Sequence, residues 1–416
     1  MKLYIDPGTG SMLFSLAIGL LSCLWFGLQK AYMKVKYLTL GGEKSDSTKR
    51  DIVIYSEDKR YWTSFKSICD ELEKRKTKIL YLAGSEDDPI LKEKYQYIEK
   101  KVIGLGNKAF AQLNFLNCRV CLATTPGLEV YQWKRSRNVD FYVHMTHSIG
   151  AGTAYKMFGT QFFDALLLCS EDFIPLHREL EAKRESKPKE IVAVGQTYMD
   201  YLLERKKELP SSSSSSSSHK NIRVLLAPSW GSNSLLNKWG DKIVDALINS
   251  GLDITIRPHP QSFYSETELI KHLQSKYAET EHFHWNTDPD NFQVLSNADI
   301  LISDFSGVIY DYSFIFERPI MYTGVSLDLS ATDHAWIDEP LWIYSLLPQL
   351  GVELKEADFD NIGDIIKQLV SSDKYSKSIK AARDKCWQHV GCASETIAEY
   401  LIGKNELLKK NSVSAA

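Results

Sequence analysis

The 416-residue chain has no surplus of positive charge: 50 lysines and arginines stand against 53 aspartates and glutamates, for a formal net charge of -3. That balance argues against a protein that holds nucleic acid on one basic face. Thiols are few, and their pattern is not that of a disulfide framework. The seven cysteines (Cys23, Cys69, Cys118, Cys121, Cys169, Cys386 and Cys392) are odd in number and scattered. Cys118 and Cys121 form a C-x-x-C, but no second such pair completes a four-thiolate zinc site, and the surrounding RVCLATT reads as a buried strand. This usage fits a reducing compartment. Metal ligands are equally sparse. The D-x-D of Asp288 and Asp290 lies in a polar stretch ahead of a helical pattern and reads as a turn and cap. Neither a metal nor an organic cofactor is required by anything in the sequence.

Hydrophobic residues make up 44% and charged residues 25% of the chain, enough apolar material for large cores. The length implies two domains of roughly 150–200 residues. The amino terminus stands apart. No charged residue occurs from Pro7 to Gln29, and SMLFSLAIGLLSCLWFGLQ is long enough to cross about 30 Å of hydrocarbon. Trp25 and Phe26 sit where a signal-peptide cleavage site would need small side chains. Lys30, Lys34 and Lys36 follow the apolar run, so the positive-inside rule predicts a single-pass anchor in the cytoplasmic (inner) membrane with the body of the protein in the cytoplasm.

Beyond that segment, short apolar runs alternate with helical patterns. DIVIYS, KILYLA, RVCLATT, VDFYVH, DALLLCS and EIVAV read as buried parallel strands. In RYWTSFKSICDELEKRK, Trp62, Phe65, Ile68, Cys69 and Leu72 recur on one helical face. The eight serines from Ser211 to Ser218 cannot bury apolar area and read as a flexible linker. A second alternating set follows (NIRVLLAP, DITIRP, ADILISD, PIMYT) and then a run of helices. The pattern predicts an α/β fold of two Rossmann-like domains in the GT-B arrangement, preceded by a transmembrane helix. The expected divisions are an anchor at 1–37, an acceptor domain at 50–207, a linker at 208–220, a nucleotide-donor domain at 221–375 and C-terminal helices at 376–404.

Ligands of open α/β sheets bind at the carboxyl ends of strands, beside helix amino termini. In ADILISDFSGVIYDYSFIFERPI a strand ends at Ser303-Asp304-Phe305-Ser306-Gly307 and a helix begins. Ser306 and Gly307 would offer a hydroxyl and backbone N–H groups to a diphosphate, and Asp311 could hold ribose hydroxyls. A capping role for Asp304 or Ser306 explains the turn equally well. In GLDITIRPHP, Pro258 and Pro260 keep extended the strand end that carries Arg257 and His259. The arginine suits phosphate oxygens, and the histidine can donate a hydrogen bond or a proton. In VDFYVHMTHSIGAG, His144 falls within the apolar strand and reads as a core residue, whereas His147 follows in a turn and suits a general base. The loop in LLAPSWGSNSLLNKWG adds Ser229 and Ser232 as possible phosphate or acceptor contacts.

APSWG, RPHP and ISDFSGVIYDYSFIFERPI, in this order and spacing, resemble the CDP-glycerol glycerophosphotransferase family, which builds teichoic-acid-type and capsular poly(alditol phosphate) chains. MTHSIG and VGQTYMDYL resemble first-domain segments of the same family, although Ser148 follows His147 where members often have glycine. The resemblance implies that His147 is the base, that His259 assists at the diphosphate, and that Arg257, Ser303, Asp304, Ser306, Gly307 and Asp311 bind the donor. The implied partners are a CDP-alditol donor, a polymer or lipid-linked acceptor and the membrane, with no nucleic acid. Two alternatives stay open: a GT-B glycosyltransferase or epimerase using a UDP-sugar, and a non-catalytic envelope-assembly protein that keeps the fold.

Overall fold

The computed structural model describes residues 18–29, 31–32, 35, 49–210, 221–324 and 327–414. The polyserine tract and most of the expected membrane segment lie outside the described residues. Residues 18–29 are helical and exposed, and no helix among the described residues is long and apolar enough to cross a membrane.

Two parallel sheets organise the chain. The first has strand order β3-β2-β1-β4-β5-β6-β7, built from β1 (Arg50–Ser56), β2 (Ile79–Ala83), β3 (Ile98–Val102), β4 (Asn117–Ala123), β5 (Asn138–Met145), β6 (Ala165–Leu168) and β7 (Glu190–Ala193). The second has order β10-β9-β8-β11-β12-β13, built from β8 (Arg223–Leu226), β9 (Asp253–Ile256), β10 (Phe283–Trp285), β11 (Ile300–Ser303), β12 (Ile320–Thr323) and β13 (Gly351–Leu354). The central strands are buried along most of their length, as sheets covered on both faces require. Strands β3, β10 and β13 have no counterpart in the apolar runs read from the sequence. The first two are sheet edges with charged or exposed residues (IEKKV, FHW), and β13 is the short opposite edge GVEL. An edge strand with one open side has less reason to be apolar.

In each sheet the strand order reverses once, between β1 and β4 and between β8 and β11. Those reversals open crevices at the carboxyl ends of the strands.

The helices that matter for the site are α1 (Trp62–Lys74), α2 (Thr197–Glu208), α3 (Val308–Phe316), α4 (Trp342–Leu350), α5 (Ser376–Cys386) and α6 (Ala393–Ser414). Helix α1 buries Trp62, Phe65, Ile68, Cys69 and Leu72, the stripe expected from their spacing. Helix α5 packs with α3 and α4 beside the second sheet. Helix α6 returns to the first sheet, where Ile397, Ala398 and Leu401 join a core with Ile52, Ile54, Val120 and Leu122. It extends to Ser414, past the expected limit of 404.

The two halves share apolar and polar contacts. One core joins Met199 and Leu202 of α2 to Tyr310 and Phe314 of α3. After β12 the chain reaches back to the first half. There Asp333 pairs with Arg184 at 2.8 Å, both side chains nearly inaccessible to solvent, while His334 N–H donates to Thr153 O at 2.8 Å.

The VGQTYMDYL segment organises the return of α6. Gly195 has φ +86°, and a Cβ there would meet Gln388 O at 2.7 Å, so both backbone conformation and space favour glycine. The Asp200 carboxylate accepts N–H bonds from Gly391 at 2.7 Å and Ala393 at 3.0 Å, at the start of α6. Asp200→Ala removes this cap and is expected to lower stability by about 1–2 kcal/mol. Urea unfolding checks this; a midpoint equal to the parent's would show that the cap contributes nothing.

Candidate active site

A cleft of about 730 Å³ opens between the carboxyl ends of the two sheets. From the first half it is lined by Lys59, Arg60 and Thr63 after β1, by His147 and Ser148 after β5, and by Tyr198 and Tyr201 of α2. From the second half come Ala227 and Pro228 after β8, Arg257 and His259 after β9, Asp290 and Asn291 after β10, and Ser306, Gly307 and Asp311 around the start of α3.

The second-half wall of the cleft is fixed by a carboxylate beneath it. Asp304 has no exposed surface. One of its oxygens accepts from Ser229 N–H at 2.9 Å and from Phe305 N–H at 2.7 Å; the other accepts from Leu235 N–H at 2.9 Å. Ser303 is equally buried, and its hydroxyl donates to Ala227 O at 2.7 Å. Both residues were expected to touch the donor. With their polar atoms engaged below the surface, they instead hold the β8 and β11 loops in register. Ser229 is buried with its hydroxyl unpartnered and does not line the cleft. Ser232 is exposed away from it. Geometry therefore removes Ser303, Asp304, Ser229 and Ser232 from the set of direct contacts.

Ser306 and Gly307 do reach the cleft. No side chain caps the start of α3, which leaves a helix amino terminus facing the cavity, an arrangement suited to anions. On the same wall, Arg257 is held by Asn286 Oδ1 and by the Asp288 carbonyl, the latter at 2.8 Å. These two bonds aim the guanidinium, whose remaining N–H groups can meet phosphate oxygens. The D-x-D is occupied by structural work: Asp290 pairs with Arg205 at 2.6 Å and accepts Phe292 N–H at 3.1 Å. Asp358 and Asp360 repeat the spacing, but Asp358 accepts Lys355 N–H at 2.7 Å and lies outside the cleft. Among the described residues, no group of three or more histidine, cysteine or carboxylate side chains is placed to hold a metal ion.

The histidines differ in their surroundings. His144 is buried in β5, its Nε2 hydrogen-bonded to Thr124 O at 3.1 Å, and burial drives its pKa down to about 3. It is a core residue. His147 lines the cleft, with Tyr61 and Tyr155 beside the ring at centroid distances of 5.0 and 6.4 Å. Its Nδ1 is buried without a hydrogen-bond partner. Burial, reinforced by the charge of Arg60, holds His147 below its ordinary pKa, so the ring is neutral at pH 7. Burial likewise lowers His259. Its Nδ1 accepts Gln261 N–H at 3.1 Å, which puts the proton of the neutral ring on Nε2 and makes that atom a donor. One imidazole is thus set to donate, and the other is neutral and able to accept a proton.

Asp311 sits in the first turn of α3, with Tyr198 Oη donating to it at 3.3 Å from the opposite half. Sequence reading found Asp311 but missed Tyr198, Asn291, Lys59 and Arg60. Nothing in their local patterns separates them from an amphipathic helix face or a solvated turn.

Fold and site together define a two-sheet α/β transferase of the nucleotide-donor type. The chain belongs to the CDP-glycerol:poly(glycerophosphate) glycerophosphotransferase family, whose model matches residues 177–401, more than half of its length. Among solved structures, the wall teichoic acid polymerase TagF has a TM-score of 0.56 at 17% identity, over 91% of this chain and 97% of that one. A TagF form soaked with CDPG gives 0.54 at 15%, over 93% and 96%. The UDP-GlcNAc 2-epimerase of Methanocaldococcus jannaschii gives 0.53 at 13%, over 85% and 99%. At these identities the likenesses establish the fold. No curated protein sequence matches the chain.

Burial pushes the Asp311 carboxyl up to about 7. A raised carboxyl pKa means that the folded state holds the proton more tightly than the unfolded one, so its contribution to stability falls as pH rises from about 4 to 7. Asp311→Asn removes that slope. Its stability relative to the parent should therefore increase across this window, as measured by urea unfolding at pH 4.5, 5.5 and 7; a pH-independent difference would contradict the burial.

Proposed function

We propose that this chain transfers glycerol phosphate, or a related alditol phosphate, from a CDP-linked donor to a hydroxyl of a cell-envelope polymer or lipid-linked acceptor. The observation that carries this reading is the cleft itself. It joins a neutral histidine on one wall to an uncapped helix start, an aimed arginine and a donor histidine on the other, in a chain of the glycerophosphotransferase family.

In the reaction, the acceptor hydroxyl attacks the β-phosphorus of the donor. A new P–O bond forms to the acceptor, the bond to the CMP phosphate oxygen breaks, and CMP leaves with the electron pair. His147 takes the proton from the attacking hydroxyl. Arg257 and the N–H groups at the start of α3 balance diphosphate charge, and His259 Nε2–H donates to a phosphate oxygen or the departing CMP. Asp311, with Tyr198, stands where ribose hydroxyls can be held. Such a transfer depends on positioning and charge stabilisation and needs no covalent intermediate.

CMP release from CDP-glycerol or CDP-ribitol, with no turnover of UDP-sugars, is the expected result; UDP-sugar turnover instead would overturn the reading. His147→Ala is expected to lower kcat by about 10²-fold or more, with donor affinity nearly unchanged. Arg257→Ala should weaken donor binding first. Full activity in a folded His147→Ala protein would overturn the assignment of His147 as the base.

The same proposal includes a membrane anchor at the amino terminus. Leu20, Leu21, Leu24, Trp25, Phe26 and Leu28 are each more than half exposed on the helix of residues 18–29, and a Cβ built at Gly19 or Gly27 meets no atom within 4 Å. A lipid bilayer would cover this surface, and the lysines that follow favour a cytoplasmic body. Protease added to intact cells should then leave the body uncut, whereas digestion from outside would reverse the orientation.

A further inference from the structure

We propose that Lys59 and Arg60 form an acceptor-side anion subsite that holds the phosphate ester next to the attacked hydroxyl of the acceptor. The inference rests on the transfer proposed above and assigns a role to a part of the cleft that this transfer leaves unused.

Lys59, Arg60 and Tyr61 make up a single helical turn between β1 and α1. The turn is fastened from below. Asp58 accepts both the Arg60 backbone N–H at 2.9 Å and the Arg60 Nε–H at 2.8 Å, while Lys59 N–H donates to Ser85 Oγ at 3.2 Å. The Arg60 guanidinium lies 6.0 Å from the centre of the Tyr61 ring, which in turn packs 5.0 Å from the ring of His147. The arginine is thereby tied, through one aromatic ring, to the residue that receives the acceptor's proton. The charge of Arg60 acts on His147 on one wall and on His259 on the other.

The distribution of charge gives the turn its meaning. On the first-half wall, Lys59 and Arg60 line the cleft and no carboxylate does, among the described residues; Asp58 and Asp87 pair with them from outside the lining. The Arg60 side chain is 77% exposed, and only its Nε is engaged by Asp58, which leaves the two terminal nitrogens for a ligand. Lys59 is paired with Asp87 at 2.5 Å, an exposed contact that an incoming phosphate can replace at little cost. Arg257, the cation that would meet the donor diphosphate, stands on the opposite wall with the start of α3. An acceptor carrying a phosphodiester one glycerol unit from its terminal hydroxyl would place that phosphate against the guanidinium while the hydroxyl reaches His147.

The test uses the full-length protein in detergent micelles, with CDP-glycerol as donor and three acceptors: glycerol, a short soluble oligo(glycerol phosphate), and phosphatidylglycerol in phosphatidylcholine vesicles. The parent should prefer a phosphate-bearing acceptor to glycerol. In Arg60→Gln and Lys59→Gln, the ratio of kcat/KM for that acceptor over kcat/KM for glycerol should fall by about tenfold to a hundredfold, through KM for acceptor, while KM for CDP-glycerol stays close to the parent's. Arg60→Lys should recover part of the preference. The soluble and vesicle arms separate a free polymer from a lipid headgroup as the source of the phosphate. An unchanged ratio, an equal loss with all three acceptors, or a parent that shows no preference would overturn the subsite. Absence of CMP release from the parent with every acceptor would instead overturn the transferase reading.

Discussion

The buried carboxylate of Asp304 is the constraint on which the second-half wall of the cleft depends. It sits where the order of the second sheet reverses and accepts three backbone N–H bonds, from Ser229, Leu235 and Phe305. Taking a carboxylate out of water is costly unless its lone pairs are met, and here backbone donors meet them. The loops after β8 and β11 cannot drift apart without stripping this group of partners. Ser303 adds a bond to Ala227 at the same level. The open start of α3 is therefore presented by a floor whose polar groups are satisfied from within. Rigidity of this kind suits a reaction in which placement and fixed dipoles do most of the work.

Above that floor, two imidazoles with the same intrinsic chemistry are set to different tasks by their neighbours. Gln261 N–H fixes His259 in one tautomer, whereas His147 is bounded by tyrosine rings and keeps a buried nitrogen unpartnered. Desolvation keeps both neutral. Their placement on opposite walls means that the two rings face one cleft only while the halves are together. The Tyr198–Asp311 bond and the Arg184–Asp333 pair span that seam.

Much of this was legible in the sequence because parallel sheets write themselves as continuous apolar runs. The runs at 51–56, 119–125 and 300–303 fall on β1, β4 and β11. Edge strands such as IEKKV left no such trace, since one open side tolerates lysine and glutamate. Motif reading brought Arg257, His259, Ser306, Gly307 and Asp311 to the cleft, because a strand end followed by a helix start defines a place as well as a residue. It could not tell which side chains of a motif face inward. Ser303 and Asp304 share the motif with Ser306 yet point into the floor, and only the bonds to Ala227 and to the loop of Ser229 to Leu235 reveal it. Arg60 and Tyr198 come from a solvated turn and an amphipathic helix, patterns common to any surface.

The path of the chain carries one more consequence. It passes from the first half to the second after α2 and returns between α5 and α6, where Ser170 Oγ bonds Lys385 O at 2.6 Å and Gln388 N–H bonds Cys169 O at 2.9 Å. A single break in the crossing after α2 would therefore not release one half from the other: the carboxyl-terminal fragment keeps α6 packed in the core of the first half, with Ile397, Ala398 and Leu401 against Ile52, Ile54, Val120 and Leu122.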